Sequence, residues 1–241
     1  MGTVPRVGSE VPSTPRQILW SPNGKLVLPG GKIIDGAESR DPLNTGYLHT
    51  IRAGMLMGKI TASGKYAPSV LGLVATDTST GSPNVEVVES AGDELERRVG
   101  ASGNLRLIGA PTDTGVVAIS ASLAYNSIGA AAGGKRTIVL AANCPAVYVD
   151  GSFLCAADGT HLPLGLIAKE TGYRVTDLDG NNLDIEMHEM LIGGCIKASQ
   201  ILNYPASGLT TLRQWVKDAL NSRGVGVVVN SGGTFKFDDD F

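Results

Sequence analysis

The segment GAAAGGKR, residues 129–136, has the residue types and spacing of a phosphate-binding loop. Gly129, Gly134 and Lys135 fit the pattern G-x-x-x-x-G-K, in which backbone N–H groups and the lysine surround nucleotide phosphates. That chemistry also needs Ser or Thr after the lysine to bind Mg²⁺, and a helix that begins at the loop. Arg136 occupies the Ser/Thr position, and RTIVLAA continues as a β-rich run. The segment is therefore predicted to be a surface loop.

The segment DIEMHEM offers the side chains of a metal site. Asp184, Glu186 and His188 are two residues apart, so a strand would place all three on one face. A half-buried strand also presents such a polar face to water while its alternate apolar residues face inward. We interpret these residues as a solvent-facing edge, with three apolar residues predicted to face inward: Leu183, Ile185 and Met187.

Hydrolytic chemistry has no local signature in this sequence. There is no G-x-S-x-G turn, and His49, His161 and His188 lie far apart along the chain, so only the tertiary structure could assemble a triad. The acidic end, Asp238 to Asp240, is typical of a solvated terminus. No catalytic residue, metal ligand or cofactor is predicted.

Composition narrows the class of protein. The chain has 241 residues, 42% of them hydrophobic, with 32 glycines and only 5% aromatic residues, which favours a mainly β fold with many turns. The formal charge is −3, and no basic cluster is interleaved with aromatic residues, so nucleic acid is not an expected partner. No apolar run reaches the length of a membrane span, and three cysteines without pairing motifs indicate a reducing cytoplasm.

The periodicity of apolar residues and the positions of turn residues predict the strands and helices of this chain. The stretch 55–67 predicts two strands around Ser63-Gly64, and residues 117–125 predict one strand. LTTLRQWVKDALNSRG predicts the one clear helix, with Gly224 suited to its C′ position. The apolar stripe of this helix consists of Leu212, Trp215, Val216, Ala219 and Leu220. Turns are expected at three Asp-Gly pairs, and the first pair is expected to be the tight turn of a hairpin within residues 146–159. The pairs are Asp150-Gly151, Asp158-Gly159 and Asp179-Gly180. A closing hairpin is expected in the last stretch of the chain.

The N-terminal stretch is predicted to be an extended arm, residues 1–46. Six of the 12 prolines lie in its first 42 residues, which excludes helix and interrupts a central strand. The arm either binds a partner surface or folds back over its own domain. Its best anchor candidates are an aromatic residue and two aliphatic neighbours: Ile18, Leu19 and Trp20.

Two blocks of this sequence resemble the phage head decoration proteins of the lambda-D-like family. The first is AGMLMGKITASGKYAP, an apolar strand followed by G-K-[IV]-T, a turn and G-K-Y-x-P. The second comprises DGTHLPLGLIA, LDIEMHEMLIGGCIKASQI and LTTLRQWVKDALNSRGVGVV, in the order expected of that family. The resemblance covers residues 47–70 and 157–229, and the stretch 71–156 is a β-rich insertion relative to it.

The resemblance implies a mainly β (α+β) protein with a small barrel-like or sandwich-like domain. Residues 47–70 and 157–241 would form this decoration-type domain with its C-terminal helix, next to the arm 1–46 and the insertion 71–156. It implies a cement protein, made in the host cytoplasm, that binds the major capsid protein on the outer surface of a head as a homotrimer, with no cofactor. Other readings remain open: a tail-tube or head–tail connector subunit, or a nucleotide-binding or hydrolytic enzyme.

Overall fold

The computed structural model describes residues 16–28, 30, 32–109, 117–222 and 235–240. Within them the chain forms strands and two α-helices in this order: β1 (Leu19–Val27), β2 (Lys32–Ile34), β3 (Thr50–Ile51), β4 (Leu56–Lys59), β5 (Tyr66–Pro68), β6 (Gly72–Leu73), β7 (Asn84–Val88), α1 (Glu89–Arg98), β8 (Gly103–Gly109), β9 (Ala118–Ile119), β10 (Leu123–Ile128), β11 (Lys135–Leu140), β12 (Phe153–Ala156), β13 (Gly165–Ile167), β14 (Tyr173–Arg174), β15 (Ile185–Met187), β16 (Met190–Ile196), α2 (Thr210–Ser222) and β17 (Phe235–Phe237). The prediction of a mainly β protein is confirmed.

One sheet, here called the curled sheet, combines the two ends of the chain. Its strand order is β1-β16-β13-β4-β5-β2-β15, with β17 parallel to β16. Most neighbours are antiparallel, and β3 pairs with β14 as a separate two-stranded ribbon. The hairpin predicted in residues 55–67 is confirmed, because β4 and β5 pair with Met57 opposite Pro68 and Lys59 opposite Tyr66.

A second sheet closes into a small barrel. Its strand order is β6-β12-β8-β10-β11-β7, and the residues after β6 return to β7: Val74 bridges Val87, and the Ala75 N–H donates to the Glu86 carbonyl at 2.9 Å. Closure leaves few free strand edges. Every strand of this barrel lies between residues 72 and 156, within the stretch 71–156 that was predicted to be an insertion.

The two sheets share a hydrophobic core. Along β12, Phe153 and Cys155 face a shared core with Leu56 of the curled sheet, whereas Leu154 and Ala156 face the barrel interior. Strands alternate side chains between faces, so β12 and β8 separate two cores. The curled sheet has a further core on its other face, which contains Met57, Ile167 and Met190.

Close backbone approach explains a glycine in the hairpin. A Cβ atom at Gly58 would overlap the carbonyl oxygen of Thr160. The glycine therefore lets β4 lie against the chain that leaves the barrel.

Helix α2 agrees with its predicted apolar stripe. Leu212, Val216 and Leu220 are fully buried in the shared core, and the Trp215 ring lies 6.1 Å from the Phe153 ring, partly buried. Thr210 is the first helical residue. Gly224, expected to end the helix, lies outside the described residues.

Helix α1 is an additional helix that the sequence pattern did not predict. Its buried residues Ala91 and Leu95 are one helical turn apart, a signal weakened by the preceding β-type run and by Gly92. A Cβ atom at Gly92 would lie 2.9 Å from side-chain carbons of Arg136, so the glycine allows the helix to pack closely on β11.

Two strand predictions need correction. Residues 117–125 form two strands, β9 and β10, because the buried Ser120 hydroxyl accepts the N–H of Leu107 at 2.9 Å where the chain leaves the ladder. The turn at Asp150-Gly151 exists, but β12 after it pairs with β8 and β6 instead of the preceding segment.

The described parts of both chain ends contact the rest of the protein, whereas residues 1–15 of the arm lie outside the described residues. In the arm, residues 19–27 form β1 and residues 32–34 form β2, so this part folds onto its own domain, which was the alternative interpretation. At the other end, Asp238 accepts the Ala198 N–H at 2.7 Å and Asp239 binds Lys217 at 2.8 Å, so the acidic end is not simply solvated. Residues 223–234 of the expected closing hairpin lie outside the described residues.

Candidate functional site

A groove lies beside the start of β1, where the predicted anchor residues are located. Ile18 is 2% exposed and belongs to the shared core, so most of its side chain packs inside the protein. Leu19 is partly buried against the same core, whereas Trp20 is 56% exposed. Trp20 is therefore the one of the three that presents a large side chain to solvent.

Two hydrogen bonds fix the chain at this point. Arg16 Nη2 donates to the Gln200 carbonyl at 2.8 Å, and the Lys197 N–H donates to the Ile18 carbonyl at 2.8 Å. The groove itself has a volume of about 490 Å³ and lies between β1 and the loop 168–171. Trp20 therefore stands on a firmly held backbone, which lowers the entropy cost of a contact.

A second exposed apolar surface, here called the loop surface, consists of Leu43, Tyr47 and Leu48. Each of these side chains is 44–45% exposed. Leu178 (86%) and Leu183 (44%) lie on the loop that follows β14. These five are more than half of the nine exposed large hydrophobic residues that the described chain contains, so exposure is concentrated in two loops.

Polar groups hold the loop surface in place. The fully buried carboxylate of Asp41 accepts Nε and Nη2 of Arg52 at 2.6 and 3.1 Å. The side-chain amide of Asn44 donates to the carbonyls of Tyr47 and Thr50, both at 3.1 Å. The backbone is thus fixed by residues inside the loop while its apolar side chains point outward.

The two loops are tied together. The Val175 N–H donates to the His49 carbonyl at 2.8 Å, and Arg40 Nη2 donates to Asn182 Oδ1 at 2.6 Å. Burial, and then the charges of nearby arginines led by Arg40, lower the pKa of His49 and so favour its neutral imidazole.

A cleft of about 480 Å³ lies where the barrel meets the curled sheet. Arg98, with a side chain 1% exposed, donates to Asp158 at 2.6 Å, to Thr160 Oγ1 at 2.9 Å and to the Pro68 carbonyl at 2.8 Å. Burial raises the pKa of Glu38, which lies 3.6 Å from Arg98. These contacts join the two sheets, and we interpret the cleft as a structural seam.

The segment that resembles a phosphate-binding loop is a turn between β10 and β11. Gly133 and Gly134 have positive φ values of 61° and 76°, and Lys135 begins a strand. Lys135 Nζ lies 3.4 Å from a Glu86 carboxylate oxygen, and Arg136 binds Asp93 and Glu96 at 2.7 Å each. The prediction of a surface loop is confirmed, since no helix begins at this turn.

The side chains proposed for a metal site remain on a solvent face. Glu186 and His188 are exposed, and Asp184 forms an ion pair with Lys65 at 2.7 Å. Met187 is buried as predicted, but Leu183 is exposed, which corrects that part of the prediction. Across the described residues, no group of three or more His, Cys, Asp or Glu side chains is arranged to hold a metal ion.

The cysteines are free thiols. Cys144 and Cys155 are buried and Cys195 is partly buried. Burial raises the pKa of Cys155 to about 12, so its thiol stays protonated and unreactive.

The loop surface was missed by sequence reasoning. Its signal is DPLNTGYLHT, where the turn residues Asp41, Asn44 and Gly46 alternate with large apolar ones. Leu43 lies within the predicted arm, residues 1–46, whereas Tyr47 and Leu48 lie in the predicted β domain, so the sequence did not mark the three as one surface.

Comparisons of this chain with protein-family models, with curated proteins and with solved structures found no match. In the part of the chain that the structure describes, no helix is long and apolar enough to cross a membrane.

Proposed function

We propose that this protein is a structural component of a virus particle, a head decoration protein that binds the outer surface of a major capsid protein lattice as a homotrimer. The proposal takes its class from the sequence resemblance in residues 47–70 and 157–229. The structural observation that supports it is the rigid loop surface, because a fixed backbone with exposed Leu and Tyr side chains is suited to protein contact.

The physical basis of such binding is multivalency. A single loop surface of three side chains offers modest affinity, but several copies joined in one oligomer bind a repeating lattice together. Preorganisation adds to the affinity, because Asp41 and Asn44 already hold the loop and little conformational entropy is lost on binding. Trp20 provides a second surface for contact with neighbouring chains.

The test is co-sedimentation with phage heads that lack their decoration layer. Replacing Tyr47 and Leu48 by serine should reduce the bound fraction at least about tenfold without loss of folding, since these side chains are exposed. Leu162→Ser is the matched control, because Leu162 is 48% exposed but lies outside both loops. Unchanged binding of the double variant would refute the loop surface as the lattice contact, and a wild-type chain that binds no heads would refute the function.

A further inference from the structure

The groove beside Trp20 combines an exposed indole with charges of both signs. Its lining includes the buried residues Ile18 and Ala168 and the exposed Trp20. Its rim carries two basic and two acidic side chains: Lys25, Lys169, Glu170 and Glu189.

An aromatic groove of this kind suits an extended, proline-containing segment. Such a segment is already stiff without internal hydrogen bonds, so it loses little entropy when it docks on an aromatic side chain. Charged rim residues then fix its direction and register. The groove volume of about 490 Å³ is within the range that holds a few residues of peptide.

The chain contains such a sequence. Residues 11–15 read Val-Pro-Ser-Thr-Pro, with the spacing P-x-x-P, and both Val11 and Thr14 precede a proline and so favour extended backbone. Upstream, Arg6 and Glu10 supply one charge of each sign, matching a rim that has both.

We propose that the groove beside Trp20 binds residues 11–15 of a second copy of this chain. Binding within one chain is disfavoured because only residues 16–19 separate Pro15 from Trp20, and the contacts of Arg16 and Ile18 fix the chain direction there. The inference deepens the proposed function: the groove would link copies of the decoration protein, while the loop surface contacts the lattice. It rests on the proposed function only in placing these copies on a phage head.

The first experiment is fluorine NMR of the full chain labelled with 5-fluorotryptophan, at low protein concentration and without heads. A synthetic peptide of residues 1–15 is titrated in, with Trp20 as reporter and the partly buried Trp215 as internal control. The Trp20 signal should shift saturably while that of Trp215 stays. A peptide with Pro12→Ala and Pro15→Ala should bind at least about tenfold more weakly.

The second experiment is sedimentation equilibrium of the full chain. Trp20→Ala, and separately Pro12→Ala with Pro15→Ala, should lower the association constant about tenfold or more, while Leu178→Ala, an exposed residue away from the groove, should leave it unchanged. No response of Trp20 to the peptide would overturn the proposal. If occupancy of the groove did not depend on protein concentration, residues 11–15 of the same chain would be the occupant, and the proposal would be overturned. Because heads are absent, failure here is separate from failure of the proposed function.

Discussion

The guanidinium of Arg98, at the end of α1, donates to the carboxylate of Asp158 at 2.6 Å across the seam between barrel and curled sheet. The same guanidinium donates to the carbonyl of Pro68 in β5. A single side chain thus binds the barrel helix to the other sheet and to the segment that connects them. This geometry makes Arg98 a polar joint between the two sheets.

Removing this joint should be costly. Arg98→Met should lower the free energy of unfolding by about 3–5 kcal/mol, because Asp158 and the Pro68 carbonyl lose a buried charged donor. Urea unfolding followed by circular dichroism measures the change. Lys135→Met is the control, since its ion pair with Glu86 is 41% and 45% exposed and should contribute below about 1 kcal/mol. Equal losses for the two variants would contradict the assignment of Arg98 as the joint.

The seam should also be sensitive to acid. Burial opposes ionisation of Asp158, but the charge of Arg98 and hydrogen bonds from Thr160 outweigh it and lower the pKa of this carboxyl. A group with a lowered folded pKa stabilises the protein above its unfolded pKa, about 3.9, and this stabilisation is lost as pH falls through the folded pKa. Wild-type stability should therefore drop from about pH 4 downward, and Asp158→Asn should drop less over that window. Parallel pH profiles of urea midpoints for the two proteins would exclude this role.

Trp215 should contribute to packing and not to a binding surface. Trp215→Ala should cost about 2–3 kcal/mol, below the ~3–5 kcal/mol of a fully buried aromatic residue, because the ring is only partly buried against Phe153. Thermal and urea unfolding measure it, with the exposed Gln214→Ala in the same helix as control, expected within about 0.5 kcal/mol. A wild-type melting temperature for Trp215→Ala would show that this contact contributes nothing.

The side-chain amide of Asn221 should hold the C-terminal strand. It accepts the N–H of Phe235 at 2.7 Å and donates to the carbonyl of the same residue at 3.4 Å, so helix α2 pairs with β17 through one residue. Asn221→Ala should cost about 1 kcal/mol and increase hydrogen exchange at Phe235. Asp218→Ala, also exposed on α2, is the control. Unaltered exchange at Phe235 in the Asn221 variant would contradict the proposed clamp.

The turn at Lys135 should not bind nucleotides. Isothermal titration with Mg-ATP and Mg-GTP should give no binding tighter than the high micromolar range, because the turn joins two strands and Lys135 pairs with Glu86. Tighter binding that Lys135→Ala abolished would refute this expectation.

The sequence by itself determined the elements whose signals are local. Periodicity in Leu212, Val216 and Leu220 predicted α2 and its buried face, and the residues around Ser63-Gly64 predicted the β4–β5 hairpin. Three Asp-Gly pairs predicted turns, and Gly151, Gly159 and Gly180 have positive φ values of 83°, 103° and 89°. These features depend on backbone preferences of a few neighbouring residues, which is why one sequence is enough.

Only the tertiary structure decided which surfaces are buried. Ile18, Leu19 and Trp20 are neighbours with a similar sequence context. Strand β1 pairs with β16, where Leu19 lies opposite Ile196, 177 residues further along the chain. In this arrangement Ile18 is buried and Trp20 is exposed. Likewise, the barrel closes through Val74 and Val87 only when all of its strands are paired. Strand β12 pairs with the distant strand β8 and not with the segment that precedes it in the chain. Such choices depend on the summed burial of residues far apart in the chain, and local patterns carry no information about that sum.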